Sequence, residues 1–274
     1  MDGDEVPVRS VARALDLVTA LEDGPQTLGM LAQSSHLSKG TAHRLLATLA
    51  TAGLVTQDPA TATYALGPGC FGILDAVVHG AGGLDLIAAS ALADLSAVTR
   101  ETVALYVRAG PQRICVAQVA SPQPIRYSAR LGMENPVYAG AMGKVLLAFS
   151  RPGVRDEILD RMPLVAWTGN TITDRRELER ELDAIRARGL AVSRGERSVG
   201  VAAVSAPVFA TDGRVLAALA ILGPDERLTD ATIAACEAPL IATAADISDR
   251  IAAAGRGVEA WARTGQDADR DLDS

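Results

Sequence analysis

The run SKGTAHRLLATLATAGL, Ser38 to Leu54, gathers groups that can recognise the edges of a nucleic acid: Ser38, Lys39, Gly40, Thr41, His43 and Arg44. A guanidinium can pair with a guanine edge in the major groove, whereas an ammonium near a helix start suits a backbone phosphate. Arg44 is therefore the candidate base contact and Lys39 the candidate phosphate contact. His43 reads equally well as a DNA contact or as an exposed histidine. Ala42, Leu45, Leu46 and Leu49 recur at i, i+3, i+4 and i+7, so one helix buries that stripe and leaves the polar and small residues opposite. Ser38 is placed as N-cap and Gly53 as stop.

An amphipathic helix alone is usually a surface helix, so its neighbours decide. Upstream, Val11, Leu15, Val18 and Leu21 mark a first helix that opens with Arg9 and Arg13. Gly24-Pro25 breaks it, and Thr27 caps a short second helix built on Leu28, Leu31 and Ala32. Downstream, Leu54 to Gln57 and Thr63 to Leu66 flank Asp58-Pro59-Ala60-Thr61 as a hairpin. Three helices and a hairpin predict a winged helix-turn-helix over residues 8–66.

A second chemical signal is Gly140-Ala141-Met142-Gly143-Lys144, which opens a helix after Pro136-Val137-Tyr138; free backbone N–H groups at a helix start attract anions. It is not a phosphate-binding P-loop, because Tyr138 stands where the first glycine belongs and Val145 follows the lysine. A tight turn that needs small residues for packing explains the same spacing equally well.

VRSVARALDLVTAL, LSKGTAHRLLATLATAGLV and YALGPGCFGIL, followed by GMENPVYAGAMGKVLLA, RARGLAVSRGERSVGVAAVSAPV and Leu222-Gly223-Pro224, together resemble the IclR family of bacterial transcriptional regulators over about residues 8–250. The resemblance implies an α+β chain: a winged helix-turn-helix, a linker helix that helps dimerisation, and a C-terminal GAF-like antiparallel sheet with flanking helices that binds a small effector. Position by position, it implies Ala141 and Met142 as backbone donors to an effector carboxylate, with Ser193, Ala203, Ala220 and Leu222 on the sheet. Tyr127 and Met133 are candidate walls. Such a pocket is mostly apolar and fits a carboxylate with an apolar or aromatic body better than a small hydrophilic keto acid. The partners so implied are a double-stranded DNA operator, a carboxylate effector, and further copies of the chain in a homodimer or homotetramer.

The formal net charge of −7 argues against non-specific nucleic-acid binding by the whole chain. Within residues 8–66, Arg9, Arg13, Lys39 and Arg44 are balanced by Asp16, Glu22, Asp23 and Asp58, so the case for DNA rests on placement. The composition is 49% hydrophobic and only 3% aromatic, which predicts cores of small aliphatic side chains. Cys70, Cys115 and Cys236 are widely separated and read as small buried hydrophobes in a reducing compartment. His36, His43 and His79 all lie in the first third, leaving the second domain no imidazole for a metal or a triad. No metal or cofactor is expected. No apolar run is seen to approach the roughly 20 residues of a membrane span, and an acidic MDGDEVPV start is unlike a signal peptide, so the reading is cytoplasmic.

The remaining chain reads as a disordered start (1–7), a linker helix and hinge over 67–83 ending in Gly80-Ala81-Gly82-Gly83, an effector domain over 84–255, and a disordered acidic tail (256–274) that holds the unassigned Trp261. Predicted strands in the effector domain are Thr102–Arg108, Arg113–Val119, Ile125–Leu131, Leu190–Arg194, Val201–Phe209 and Val215–Leu222. Helices are expected at Leu84–Thr99, Ala141–Phe149, Val154–Arg161, Asp174–Arg188 behind a Thr173 cap, and Thr229 to about Ala254. In the loop before Gly200, Glu196 suits a structural ion pair and Arg197 a solvated connection. An enzyme acting on a small acid is the competing function, but there is no G-x-S-x-G, no Cys beside a base and no histidine after His79.

Overall fold

A computed structural model of the chain describes residues 8–71, 73 and 83–254. They fall into two units, Met1–His79 and Gly80–Ser274. Most of the expected linker helix and hinge, the N-terminal segment 1–7 and the tail with Trp261 lie outside the described residues.

The first unit runs α1 (Arg9–Thr19), β1 (Gln26–Thr27), α2 (Leu28–Ser34), α3 (Lys39–Thr51), β2 (Val55–Gln57) and β3 (Thr63–Leu66). Both expected caps form: Thr27 Oγ1 accepts the Met30 N–H at 3.3 Å, and Ser38 Oγ accepts the Thr41 N–H at 3.2 Å. Leu17, Leu21, Leu31, Ala42, Leu46, Leu49, Val55 and Tyr64 close the core, with Leu45 partly buried beside them. The strands pair antiparallel in the order β1-β3-β2. β1 was not legible in the sequence, since two residues have no periodicity.

α1 departs from expectation. It buries Leu17, with Ala14 and Val18 partly covered, whereas Val11 and Leu15 are 55% and 56% exposed. Positions 14, 17, 18 and 21 form one apolar stripe and 8, 11 and 15 an adjacent one. A domain this small covers only the first.

The second unit comprises α4 (Leu84–Thr99), β4 (Thr102–Ala109), β5 (Gln112–Val119), β6 (Glu134–Pro136), α5 (Ala141–Ala148), α6 (Pro152–Arg161), α7 (Arg175–Arg188), β7 (Ala191–Arg194), β8 (Val201–Phe209), β9 (Val215–Pro224) and α8 (Asp230–Ala254). Its sheet is antiparallel, in the order β6-β5-β4-β9-β8-β7. Val103, Leu105, Val107, Val204, Leu219 and Ile221 share one apolar cluster with α4 and α8. The alternate residues, among them Ala104, Tyr106, Ala203, Ala220 and Leu222, share another with α5 and α7. Helices on both faces explain why the central strands read as near-continuous apolar runs.

The expected strand Ile125–Leu131 does not form, and the edge is β6 instead, with Gln112 opposite Pro136 and Ile114 opposite Glu134. Pro122 and Pro124 remove ladder donors just before that segment. It is held by isolated bonds: the Thr102 hydroxyl donates to the Tyr127 carbonyl at 2.5 Å, and the Gly132 N–H to the Cys115 carbonyl at 2.8 Å. α7 is capped by Asp174, which accepts the Glu177 N–H at 2.8 Å, rather than by Thr173. Contrary to the expectation that no run is long enough, α8 has 25 residues and contains an 18-residue window with a mean hydropathy of 1.2, which meets a membrane span by length and composition only. Its stripe Ile233, Cys236, Leu240, Ala244, Ile247 and Ile251 is buried in the sheet's first cluster, as in a core helix.

Candidate functional site

In the first unit α3 turns Ala42, Leu46 and Leu49 inward and leaves Ser38, Lys39, Gly40, His43, Arg44, Ala47 and Thr48 exposed, with Thr41 half-buried. An open concavity of about 530 Å³ between α1 and α3 is lined by Arg9, Ser10, Arg13, Thr41, Arg44, Leu45 and Thr48. Four of the eight expected DNA-binding residues, Arg9, Arg13, Thr41 and Arg44, thus share one surface. Lys39, Gly40 and His43 lie at the open start of α3. The Ser38 hydroxyl serves the cap and sits 2.9 Å from that of Thr41, so its role is to shape the helix start.

In the second unit the register aligns Ser193 with Ala203, Ala203 with Leu222, and Leu222 with Thr102 across four strands. A cavity of about 30 Å³ lies against this row. Of the eight expected effector residues, Tyr127, Met142, Ser193, Ala203 and Leu222 line it. Ala141 and Ala220 are fully buried in the same apolar cluster but outside the lining, and Met133, 41% exposed, is not a wall of it.

The turn before α5 has its own anion. The Gly140 N–H donates to Glu196 Oε2 at 3.0 Å, and Lys144 Nζ donates to Glu196 Oε1 at 2.6 Å and to Glu181 Oε1 at 3.1 Å. The N–H of Gly140 is therefore not free for a ligand, and the lysine of the motif is 1% exposed and committed to the interior. The expected ion pair of Glu196 is present. Gly143 is required by packing, since a Cβ there would strike the Val137 carbonyl and lie 2.7 Å from its carbon.

The sequence analysis missed the placement of two groups. Arg113 on β5 is 4% exposed and lines the cavity; its Nη1 donates to the Pro136 and Ala139 carbonyls, both at 2.6 Å, and its Nε has no partner among the described residues. Burial pulls this guanidinium below its ordinary pKa, with Tyr106 and Tyr127 acting in the opposite direction; an arginine nonetheless stays charged. Its place at a polar position of an otherwise alternating strand carried no signal that it faces inward. Arg197, read as solvated, instead stacks 3.8 Å from the ring centre of Trp167 and donates from Nε to Asn135 Oδ1 at 3.0 Å. Arg197 also lines an outer groove of about 650 Å³ with Tyr138, Trp167, Val165 and Ile158. The cavity is thus bordered by two guanidinium groups, the Glu196 carboxylate, the hydroxyl-bearing Tyr127, Ser193 and Ser198, and the apolar Met142, Val201, Ala203 and Leu222. Burial pushes the Cys115 thiol up to about 12, which disfavours its thiolate.

A winged helix-turn-helix unit followed in the same chain by an α+β unit with a cationic inner cavity defines a two-part, DNA-binding regulator. The chain belongs to the IclR family: the IclR helix-turn-helix domain matches residues 10–59, and the bacterial transcriptional regulator IclR C-terminal domain matches residues 81–249. It is 32% identical over 247 residues to the transcriptional regulator BhcR of Paracoccus denitrificans, covering 89% of this chain and 88% of that one. Among solved structures, the Thermotoga maritima IclR superposes with a TM-score of 0.74 at 27% identity, over 89% of this chain and 99% of that one. An IclR homologue of Microbacterium hydrocarbonoxydans, crystallised with 4-hydroxybenzoate, shares the fold with a TM-score of 0.74 at 22% identity, over 89% and 99% of the two chains. Relatives named as transcriptional regulators point to a non-enzymatic role.

Proposed function

We propose that the chain regulates transcription by reading an operator with α3 and changing its DNA affinity when an apolar or aromatic carboxylate enters the second unit. The observation that carries the DNA half is the shared surface of Arg9, Arg13, Thr41 and Arg44, backed by the buried stripe of α3. Arg44 is the base contact in this reading. Arg44→Ala should weaken operator binding by about 1–3 kcal/mol and relax preference at one base pair. Lys39→Ala should instead weaken binding to all sequences and flatten the salt dependence. Titrations of both variants on cognate and scrambled duplexes separate the two roles, and unchanged affinity in a folded Arg44→Ala protein would remove Arg44 from the reading face.

The ligand half is supported by the walls of the cavity, where Met142, Ala203 and Leu222 offer contact area but no side-chain hydrogen bonds. The cavity takes the headgroup, so apolar burial at roughly 25 cal/mol per Å² has to come from the adjoining groove lined by Tyr138, Val165 and Trp167, and an acid of two or three carbons has too little surface to gain from it. The Microbacterium hydrocarbonoxydans homologue, with its 4-hydroxybenzoate, holds a ligand of the favoured kind. Substituted benzoates should raise the thermal midpoint while pyruvate and glyoxylate leave it unmoved. The reverse order in a thermal-shift screen defeats the apolar reading.

The active form in this reading is at least a homodimer, because one short α3 contacts too few base pairs to specify a site. The exposed apolar row of Val11 and Leu15 on α1, with Val8 just before the helix, is a surface that a second copy can cover. Sedimentation at micromolar concentration tests it, and a monomer that still footprints one half-site excludes it.

A further inference from the structure

Arg113 is the buried group of the second unit whose chemistry is incomplete. Its Nη1 is fixed by two carbonyls while the Nε, also buried, has no partner among the described residues. A buried charged donor left unpaired is costly, and native proteins keep such groups where a ligand or ion completes them. The carboxylate nearest in role, Glu196, is not available: its two oxygens serve Lys144 and Gly140. The second cation of the cavity, Arg197, rests on Trp167 and Asn135, both neutral. Among the described residues the lining therefore holds two guanidinium groups and one carboxylate that its own lysine already neutralises.

The geometry points to Arg113 as the anchor of a monoanionic carboxylate ligand, with the Nε donating to a carboxylate oxygen between α5 and the row Ser193, Ala203 and Leu222. This rests on the effector reading above and deepens it. It also moves the anion from the helix start, where Glu196 already sits, to the floor of the cavity on β5. The volume sets the rest of the ligand. About 30 Å³ admits a headgroup of a few atoms and no ring. Arg197 borders both this cavity and the outer groove of about 650 Å³ that contains Trp167 and Tyr138. A ring or chain attached to the bound carboxylate has to pass Arg197 to reach that groove and so disturbs its stack on Trp167. Ligand entry should therefore change the fluorescence of Trp167.

The test uses the full chain with benzoate and its neutral isostere benzamide, followed by calorimetry and tryptophan fluorescence. Wild-type protein should bind benzoate about a hundredfold more tightly than benzamide, with a fluorescence change, because only the acid makes the charge-assisted bond. Arg113→Met should abolish that preference by weakening benzoate to the level of benzamide, and Arg113→Lys should restore part of it. Circular dichroism and operator binding check that the variants fold. Should Arg113→Met fail to fold, the acid-to-amide ratio of the wild type and the Arg113→Lys variant still decide. Equal affinity for acid and amide, or an undiminished preference in folded Arg113→Met, overturns the anchor and leaves the effector reading standing. If benzoate, phenylacetate and hexanoate all fail to bind the wild type, the anchor and the effector reading fall together.

Discussion

Lys144→Met should lower the unfolding free energy of the C-terminal unit by about 3–5 kcal/mol, the range for removing one member of a buried ion pair. Lys144 is 1% exposed, and the Glu196 side chain it contacts at 2.6 Å is 9% exposed. With the ammonium gone, Glu196 keeps the Gly140 N–H on one oxygen while the other faces the interior unpaired. Glu181 loses less, because its side chain is 36% exposed and water can replace the lysine. The penalty is mainly that of a stranded carboxylate, so Lys144→Met combined with Glu196→Gln should recover a large part of it. Urea denaturation followed by circular dichroism measures both. A loss below about 1 kcal/mol for the single variant, the scale of an exposed pair, would mean that water reaches Glu196. DNA binding by the first unit should persist at temperatures where the second remains folded.

Gly143→Ala should cost about 3 kcal/mol, the upper end for overpacking a core. A Cβ at position 143 would collide with the Val137 carbonyl oxygen and lie 2.7 Å from Val137 C and 2.8 Å from its Cα. All three are backbone atoms, so no rotamer relieves the clash and α5 must lift away from the chain entering it. Because Met142 of the same helix lines the cavity, the shift should also degrade benzoate binding. Gly153→Ala in α6 is the control. Nothing lies within 4 Å of its added Cβ, and alanine is favoured over glycine in a helix by up to about 1 kcal/mol, so it should be neutral or slightly stabilising. Equal thermal midpoints for the two variants would contradict the packing account of the GAMGK turn.

The two substitutions bear on why this turn looks like an anion site in the sequence. Gly140 takes φ 91 to enter the helix, Gly143 makes room for Val137, and Lys144 turns inward to Glu196. The signature of small residues before a lysine arises here from close packing and an internal ion pair, the explanation that local spacing left equally open.

What the sequence determined by itself were the features that local physics sets. The period of Ala42, Leu46 and Leu49 specified α3 and which side of it faces out, because a helix repeats every 3.6 residues whatever surrounds it. Thr27 and Ser38 set two helix starts through bonds spanning three residues. The order of motifs indicated the family, which the domain matches bear out. The tertiary structure alone decided what depends on partners distant in the chain. Which of two adjacent stripes α1 buries depends on how much core the small domain has to offer. Ile125–Leu131 has strand-like residues, yet β6 takes the edge of the sheet, since pairing is settled by the partner strand and by prolines outside the segment. In the sequence Arg113 only opens a predicted strand and Arg197 stands in a loop that reads as solvated. One became a buried cation 26 residues from a carbonyl it holds, the other a cap on Trp167, 30 residues away. Charge and burial at such positions follow from which segments meet in space, and no periodicity within a single segment records that.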